Sequence, residues 1–361
     1  MNILFVLDRR VNAGSIHAVA GYQRAADRCG HRIALFGAAD PQCPSLRTSV
    51  DVESFDHVVF IFESTLNWLS GLKLLQLLNR VPRARRAILD ADGMYNDVVA
   101  VDGYDRNHAD DESQRRWTAA FDALTDRIFQ PTLQPLSPKV RPLLFYGYDA
   151  AAEWAGPQPA KTWDLLHLGH NWWRWRQVGG TLLPAIARVR PYVAGICFMG
   201  SWWDEVPSWA SAMNLDAAIS CNPEWMRRLH VQILPAVPFA EVISTMSAAR
   251  INVMTQRPLF QRLRFVTSKY FELLCADTIP LVMVPPDLAE EVYGAAGREL
   301  AVCHHIEQTL LDALERPDRY RDAVEAVRRH VQIHHSYQRR VEELVEALEC
   351  ERPQFERALA L

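Results

Sequence analysis

The chain has 361 residues, of which 49% are hydrophobic and 23% charged, and its formal net charge is -4 at pH 7. This length suits two domains with a core each, and the composition excludes a disordered or fibrous protein. The net charge gives no general attraction to nucleic acid or anionic lipid, so neither is an expected partner.

Compartment is predicted from the apolar runs and the cysteines. No apolar run approaches the roughly 18 residues of a membrane span, and the opening run, Asn2–Leu7, precedes its charges, which is the reverse of a secretion signal. The seven cysteines are scattered and form no CxxC pair, which argues against disulfides or a zinc site. We expect a cytoplasmic protein without a transmembrane segment.

The first half alternates short apolar runs with helical spacing, which predicts a parallel sheet covered by helices. Asn2–Leu7, Ser15–Cys29 and Ile33–Phe36 form a β-α-β unit in which Ser15 is a plausible helix cap. The other predicted elements are strands His57–Phe62, Ala87–Leu89 and Arg127–Phe129 and helices Leu66–Leu78 and Arg115–Leu124.

A stretch rich in Ala, Pro and Gly, Asp149–Lys161, interrupts this pattern before a second α/β series begins at the predicted strand Trp163–Leu168. We therefore predict domains at residues 1–155 and 160–335, followed by a charged helix in residues 336–361 that packs back towards the first domain. Two doubly wound domains in tandem bind ligands where the carboxyl ends of their strands face each other. Further predicted strands are Val193–Met199, Val231–Leu234, Ile251–Met254 and Ile279–Val284; helices are residues 180–189, Phe239–Ala248, Lys269–Cys275 and Tyr337–Ala358.

A basic loop follows the predicted strand Ile251–Met254 and leads into a short helix. Cations beside a helix N-terminus at the carboxyl end of a strand favour a pyrophosphate. Glu272, one turn into the helix, can accept hydrogen bonds from two ribose hydroxyls. The loop cations and the threonine before the helix are Arg257, Arg262, Arg264, Thr267 and Lys269.

Residues 250–284 resemble the donor-binding segment of GT-B glycosyltransferases of the group 1 type. The family pattern of Arg, Thr, Arg or Lys, then Phe-Glu, then a small turn and Ile-Pro, corresponds here to Arg264, Thr267, Lys269, Phe271, Glu272, Ile279 and Pro280. Many relatives carry a second glutamate eight positions earlier, where this chain has Arg264. The resemblance implies two Rossmann-like domains facing across a cleft, with the donor diphosphate on Arg257, Arg264 and Lys269 and the ribose on Glu272.

Three further segments extend the resemblance from Trp163 to Leu344. Val237, Pro238 and Phe239 match the loop that packs on the nucleobase, and His335, Tyr337 and Arg340 match the His-x-Tyr-x-x-Arg tail signature. The loop after Trp163–Leu168 matches the one facing the donor phosphates, with Gly169, His170, Asn171 and Arg174 as candidate ligands. Eight of the eleven tryptophans lie between Trp163 and Trp225, where one or two can stack on a sugar.

The acceptor side is predicted in the first half. The segment from Asp8 to Gly37 is similar to the family's acceptor-side start, in which Gly14 and Ser15 open a helix beside a ligand. His17, in the first helical turn, is a candidate general base because its ordinary pKa lies near working pH. The alternative is a structural or exposed histidine.

Asp90, Asp92 and Asp97 follow a predicted strand. The Asp90-Ala91-Asp92 run is compatible with a metal held against a diphosphate, with an acceptor-binding or proton-accepting pair, or with helix capping. Because the basic loop already neutralises a diphosphate, we expect a site without metal. His304, His305, His334 and His335 lack the carboxylate or cysteine at ligand spacing that would complete a metal site, so a solvated face or a hinge is predicted for them.

The resulting expectation is a glycosyltransferase that moves a hexose from a nucleotide-diphosphate sugar to a hydroxyl or amine of a small molecule or glycan in carbohydrate or natural-product biosynthesis. It would use no cofactor besides the nucleotide sugar as co-substrate. Two alternatives remain open: a nucleotide-sugar epimerase or hydrolase with the same fold, and a non-catalytic protein that only binds the nucleotide sugar. Donor sugar, base, acceptor, stereochemistry and oligomeric state are not readable from these residues.

Overall fold

The structure is a computed structural model that describes residues 1–7, 14–39, 45–63, 77–96, 101, 104–105, 107, 110–157 and 160–349. Buried apolar strands flanked by helices make up both halves, as the alternating sequence pattern predicts. The predicted helix Leu66–Leu78 lies mostly outside these ranges, as do Asp97 and the end of the last helix.

The first half forms a sheet of seven parallel strands over the described residues. Their spatial order is β3-β2-β1-β4-β5-β6-β7. The winding therefore reverses between β1 and β4, and the carboxyl ends of these two strands flank a crevice where doubly wound sheets bind ligands. The strands are β1 (Asn2–Val6), β2 (Arg32–Phe36), β3 (Thr48–Ser49), β4 (His57–Phe62), β5 (Arg86–Asp90), β6 (Ile128–Gln130) and β7 (Val140–Pro142).

The second half forms a five-stranded parallel sheet with the order β10-β9-β8-β11-β12. Its winding reverses between β8 and β11, so the second crevice lies at the carboxyl ends of those two strands. The strands are β8 (Trp163–Leu168), β9 (Ile196–Met199), β10 (Gln232–Leu234), β11 (Ala249–Met254) and β12 (Ile279–Val282).

Helices cover both sheets and connect successive strands. None in the described ranges has the length and apolar character needed to span a membrane. In chain order they are α1 (Gly14–Arg28), α2 (Asp111–Leu124), α3 (Trp175–Gln177), α4 (Leu183–Val189), α5 (Ser208–Ala212), α6 (Pro223–Arg228), α7 (Val242–Ser247), α8 (Pro258–Arg262), α9 (Ser268–Cys275), α10 (Pro286–Tyr293), α11 (Gly297–Leu300), α12 (Ile306–Glu315), α13 (Pro317–His334) and α14 (Tyr337–Glu349).

Strand predictions are confirmed where a buried apolar run is long. The predicted strands His57–Phe62 and Trp163–Leu168 match β4 and β8 residue for residue. The sequence analysis missed β3 and β7, which have two and three residues and so carry too few positions for a period to show. Helix α14 begins at Tyr337, as predicted.

Helix α14 packs against α1, so the end of the described chain returns to the first half. The rings of Tyr22 and Tyr337 lie 5.6 Å apart, edge to face, and a Cβ added at Gly21 would lie 2.5 Å from Tyr337. Gly21 is therefore the residue that lets the two helices approach closely.

A buried ion pair joins the two halves. The Arg257 guanidinium donates to the Asp105 carboxylate at 2.5 Å, and the two side chains are 7% and 0% exposed. Asp105 also accepts the Leu259 backbone N–H at 2.8 Å, and Arg257 donates to the Asn107 side-chain oxygen at 2.9 Å. This pair fixes the two halves relative to each other, because separating them would leave a buried charge without a partner.

Candidate active site

The start of α1 meets the start of α9 across the crevice between the halves. A Cβ added at Gly14 would lie 2.9 Å from the Ser268 hydroxyl and 3.5 Å from a carboxylate oxygen of Glu272. Because helix N-termini carry partial positive charge, two that face one another are stabilised by an anion between them. Gly14 leaves the space for this approach, since any side chain there would contact α9.

A small pocket opens at the carboxyl ends of β8 and β11, on the second sheet's crevice. Its polar lining includes two cations, a histidine and a threonine, and an anionic group entering it would meet both cations. The lining residues are His167, Leu168, Arg174, Met246, Asn252, Val253, Met254, Thr255, Lys269 and Leu273.

Arg174 is held by main-chain carbonyls at the edge of this pocket. It donates to the carbonyl of His170 and, at 3.4 Å, to that of Thr255. Burial, together with the nearby charge of Arg257, lowers the pKa of Arg174 to about 10, so it remains a cation at neutral pH. A Cβ added at Gly169 would lie 3.9 Å from this guanidinium, which places Gly169 beside the same cation.

Lys269 and Glu272 form an ion pair on α9. The Lys269 ammonium lies 2.6 Å from a carboxylate oxygen of Glu272, and the side chains are 24% and 10% exposed. Thr267 occupies the N-cap position with extended backbone but does not cap the helix through its side chain. The first turn of α9 therefore combines a cation, a carboxylate and a helix end, which suits a diphosphate next to a ribose.

Two histidines on the β8 side are held as neutral rings. Burial and the charges of Arg174 and Lys269 lower the pKa of His167 to about 3, and its Nε2 lies 2.8 Å from the Thr255 hydroxyl. His170 Nδ1 accepts the Ser201 backbone N–H at 2.9 Å, and its pKa is lowered by burial. In neutral His170 the proton is consequently on Nε2, which makes that atom a donor for an anion or a sugar hydroxyl.

Arg264 has other partners than those predicted. Its guanidinium contacts the carboxylates of Asp287 at 2.7 Å and Glu291 at 2.5 Å, and it does not line the pocket. Arg264 also has a φ of +53°, which turns the chain between α8 and the following segment. Two carboxylates thus already neutralise its charge, and its diphosphate contact stays a prediction.

The predicted diphosphate contact of Arg257 is corrected, because this side chain lies in a buried ion pair. Its buried guanidinium is engaged by Asp105 and Asn107 and lies 4.9 Å from the ring of Phe260. The Arg257 charge is therefore neutralised by the ion pair that joins the two halves. Arg262, by contrast, is exposed on α8.

Asn171 organises the loop after β8 and does not reach the pocket. It is fully buried, and its side-chain amide donates to the carbonyls of Trp202 and Ser220 at 2.8 Å each. Its expected role as a donor ligand is corrected accordingly. The same loop depends on Gly200, because a Cβ there would fall 2.2 Å from the Gly169 carbonyl oxygen.

The predicted nucleobase shelf lies at the crevice, and one of its members contacts the first half. The ring of Phe239 stacks on His17 with centroids 3.7 Å apart and planes within 18°. Val237 is partly buried against a small apolar cluster, and Pro238 is exposed. Burial lowers the pKa of His17, with Glu272 opposing the shift, so that the imidazole is neutral at pH 7.

Asp90 has a structural role. Its carboxylate is fully buried and accepts the N–H groups of Met94 and Tyr95 and the Gln130 amide at 2.8 to 2.9 Å. Burial raises its pKa to about 6. Asp90 cannot meet a substrate or share a metal with Asp92, and its expected catalytic role is corrected. Asp92 is partly buried, and its carbonyl accepts from Asn107 at 2.7 Å.

Glu63 is the site residue that the sequence analysis missed. It follows β4, and its carboxylate lies beside the hydroxyls of Ser15 and Tyr146, with the Tyr146 oxygen 3.5 Å from Oε1. Burial raises the pKa of Glu63 to about 7, and the nearby charge of Asp92 contributes to this shift. Its position at the end of a predicted buried strand was the available signal.

Of the four histidines in the two adjacent pairs, three lie on the surface and one is buried between α13 and α14. His304, His305 and His334 are exposed, whereas His335 is buried and its Nδ1 lies 2.9 Å from an Arg340 nitrogen. Within the part of the chain that the structure describes, no three His, Cys, Asp or Glu side chains group as metal ligands would. The signature residues His335, Tyr337 and Arg340 thus meet at the turn between α13 and α14.

Residues 193–346 match the model of a family described as glycosyl transferase-like. No curated protein matches the chain. Among solved structures, the T4 phage enzyme named BGT, in complex with its UDP-glucose substrate, aligns with a TM-score of 0.58 at 11% identity, covering 97% of this chain and all of the other.

Two further solved structures have the same architecture over nearly the full length. Sucrose-phosphate synthase from Thermosynechococcus elongatus aligns with a TM-score of 0.58 at 13% identity, covering 99% of each chain. An alpha-glucosyltransferase in complex with UDP and a 13-mer DNA aligns with a TM-score of 0.57 at 13% identity, covering 97% of this chain and all of the other. Two facing doubly wound domains of this kind are the GT-B fold. The chain therefore has the GT-B fold, and its second half is similar to the glycosyl transferase-like family.

Proposed function

We propose that the protein transfers a sugar from a nucleoside-diphosphate sugar to a hydroxyl, or an amine, of a small acceptor in the cytoplasm. The observation that carries this proposal is the convergence of α1, α9, Arg174 and Lys269 on one crevice. A diphosphate there neutralises two cations and two helix ends, and the charge on it grows as the glycosidic bond breaks.

The donor is held by the second half in this proposal. Lys269, Arg174, His170 and the backbone before α9, including Thr267, take the diphosphate, and Glu272 takes the ribose hydroxyls. Gly169 and the Val237–Phe239 loop border the nucleotide. Because several of the similar structures contain UDP or UDP-glucose, a UDP-sugar is the first donor to test.

The acceptor lies against Gly14, Ser15, His17 and Asp92 at the edge of the first sheet. We favour a small acceptor over DNA although one similar structure contains DNA, because a net charge of -4 opposes binding to a phosphate backbone. We also favour transfer without metal. Arg174 and Lys269 supply positive charge to the diphosphate, whereas Asp90 is fully buried and both of its oxygens accept hydrogen bonds inside the fold.

The test is thermal stabilisation by UDP, GDP, TDP, ADP and CMP, with and without EDTA, for the wild type and Lys269→Ala. One diphosphate should raise the melting temperature in both buffers, and the shift should shrink in the variant because a charge-assisted contact of about 1.5–3 kcal/mol is lost. Arg262→Ala is the matched control, since this exposed arginine lies on neighbouring α8.

Each other outcome has a defined meaning. A shift abolished by EDTA would contradict the metal-free proposal. Stabilisation by none of the nucleotides would contradict the donor site itself. Turnover of donor at a rate that no added acceptor increases would favour the hydrolase or epimerase alternative, and binding without turnover would favour a non-catalytic protein.

A further inference from the structure

Glu63 and the start of α1 lie at the reversal of winding in the first sheet. Residues after β1 lead into α1, and Glu63 directly follows β4, the parallel neighbour of β1. Side chains that follow the two strands at such a reversal are directed at the ligand crevice. Glu63 is therefore placed on the acceptor side, opposite the donor pocket of the second half.

Hydroxyls and a second carboxylate surround Glu63. The buried Ser15 hydroxyl on α1 has no hydrogen-bond partner among the described residues, and the Tyr146 hydroxyl, which follows β7, lies 3.5 Å from Oε1 of Glu63. Asp92, after β5, supplies a like charge close enough to oppose ionisation of Glu63. A Cβ added at Gly14, the neighbour of Ser15, would lie 3.5 Å from a Glu272 carboxylate oxygen on α9, so this cluster adjoins the predicted ribose contact.

The two neighbouring carboxylates of the first sheet differ in what their oxygens do. Both oxygens of Asp90 accept hydrogen bonds inside the fold and the side chain is fully buried. Glu63 remains partly accessible, with hydroxyl groups as its described contacts. A hydroxyl contact orients a carboxylate without consuming all of its acceptor sites, because each oxygen has two.

We propose that Glu63 is the general base that removes the proton from the acceptor hydroxyl, an assignment that rests on the transfer proposed above. The acceptor oxygen forms the new bond to the anomeric carbon, and its proton moves to the Glu63 carboxylate. The bond from that carbon to the donor diphosphate breaks, and its electron pair leaves with the diphosphate. Tyr146 is a positioning residue, since its hydroxyl lies 3.5 Å from the carboxylate.

The ionisation of Glu63 suits this role and provides a test. Burial and the Asp92 charge raise its pKa, the nearby hydroxyls of Ser15 and Tyr146 lower it, and the net pKa is about 7. The base form is then lost as pH falls below about 7, so the rate falls on the acid side. We call this fall the acid limb of the pH–rate profile. Removing the charge of Asp92 should move the acid limb to lower pH, and removing the Tyr146 hydroxyl should move it to higher pH.

The experiment measures release of UDP from UDP-glucose, with water as the acceptor probe, as a function of pH. Glu63→Gln should lower the rate by about 10²- to 10⁴-fold and abolish the acid limb, while the thermal shift with UDP stays as in wild type. Glu63→Asp should retain a limb. Asp92→Asn and Tyr146→Phe should shift the limb in opposite directions, and Tyr148→Phe, whose hydroxyl contacts Glu153 at 2.5 Å, should leave it in place.

The outcomes separate the two levels of inference. If Glu63→Gln binds UDP and keeps both rate and limb, Glu63 is not the base. If His17→Asn or Asp92→Asn instead abolishes the limb, the base is that residue and the Glu63 assignment is overturned. If the wild type binds no nucleotide diphosphate, the proposed function fails first and the Glu63 assignment falls with it.

Discussion

Arg264 and Lys269 stand five positions apart and have different electrostatic partners. Arg264 contacts two carboxylates on α10, whereas Lys269 lines the pocket beside Arg174. A cation already paired with two carboxylates has little charge left for a diphosphate, so its replacement affects the fold more than the ligand.

Arg264→Ala should therefore leave the nucleotide-induced thermal shift unchanged and lower the free energy of unfolding by about 1 kcal/mol. Alanine has the same difficulty as arginine at a positive φ, so the change isolates the ion pairs. Urea denaturation with and without UDP measures both quantities. If Arg264→Ala reduced the thermal stabilisation by UDP as much as Lys269→Ala does, Arg264 would be a donor-binding residue.

At the scale of elements, the joint between α13 and α14 depends on one buried arginine. Arg340 is 1% exposed, donates to the His334 carbonyl at 2.7 Å, and pairs with Glu343 at 2.9 Å. Burial and the Arg340 charge lower the pKa of His335 to about 3, so the imidazole is neutral and Nδ1 can accept from the guanidinium.

Arg340→Ala should lower the free energy of unfolding by about 3 kcal/mol, because it leaves a buried carbonyl and a buried imidazole without their donor. Arg339→Ala is the matched control: Arg339 is half exposed and pairs only with surface glutamates in the described chain, so it should cost under about 0.5 kcal/mol. Chemical denaturation compares the two. Equal effects would show that the joint does not depend on the buried arginine.

At the scale of the whole molecule, the Asp105–Arg257 ion pair connects the first half of the chain to the second half. Arg257 also holds Asn107, whose amide donates to the carbonyl of Asp92 at 2.7 Å. The chain of contacts therefore runs from the donor half to a residue at the predicted acceptor site. Closure of such a cleft excludes water and limits donor hydrolysis.

Asp105→Ala should cost about 3–5 kcal/mol, because it leaves the Arg257 charge buried and unpaired. The double variant with Arg257→Ala should recover part of that loss, giving a coupling of about 1–3 kcal/mol in a double-mutant cycle. Gln134→Ala, which removes an exposed contact between the halves to Glu291 at 3.1 Å, serves as control. Additive effects of the two single changes would mean that the pair does not couple the halves.

The α/β architecture and the long strands could be predicted because they depend on local features, namely buried apolar runs and their spacing along the chain. β4 and β8 are of this kind.

Which polar side chains reach the crevice was decided only by the tertiary structure. Arg257, Arg264, Asp90 and Asn171 have the right residue types at the right strand ends, but partners distant in sequence, such as Asp105 and Glu291, engage them. Glu63 enters the site because β4 lies beside β1, a pairing between segments more than 50 residues apart. The physical reason is that a charged side chain pairs with whichever partners lie near it in space. Burial, which shifts pKa values, is also defined only once the chain has folded.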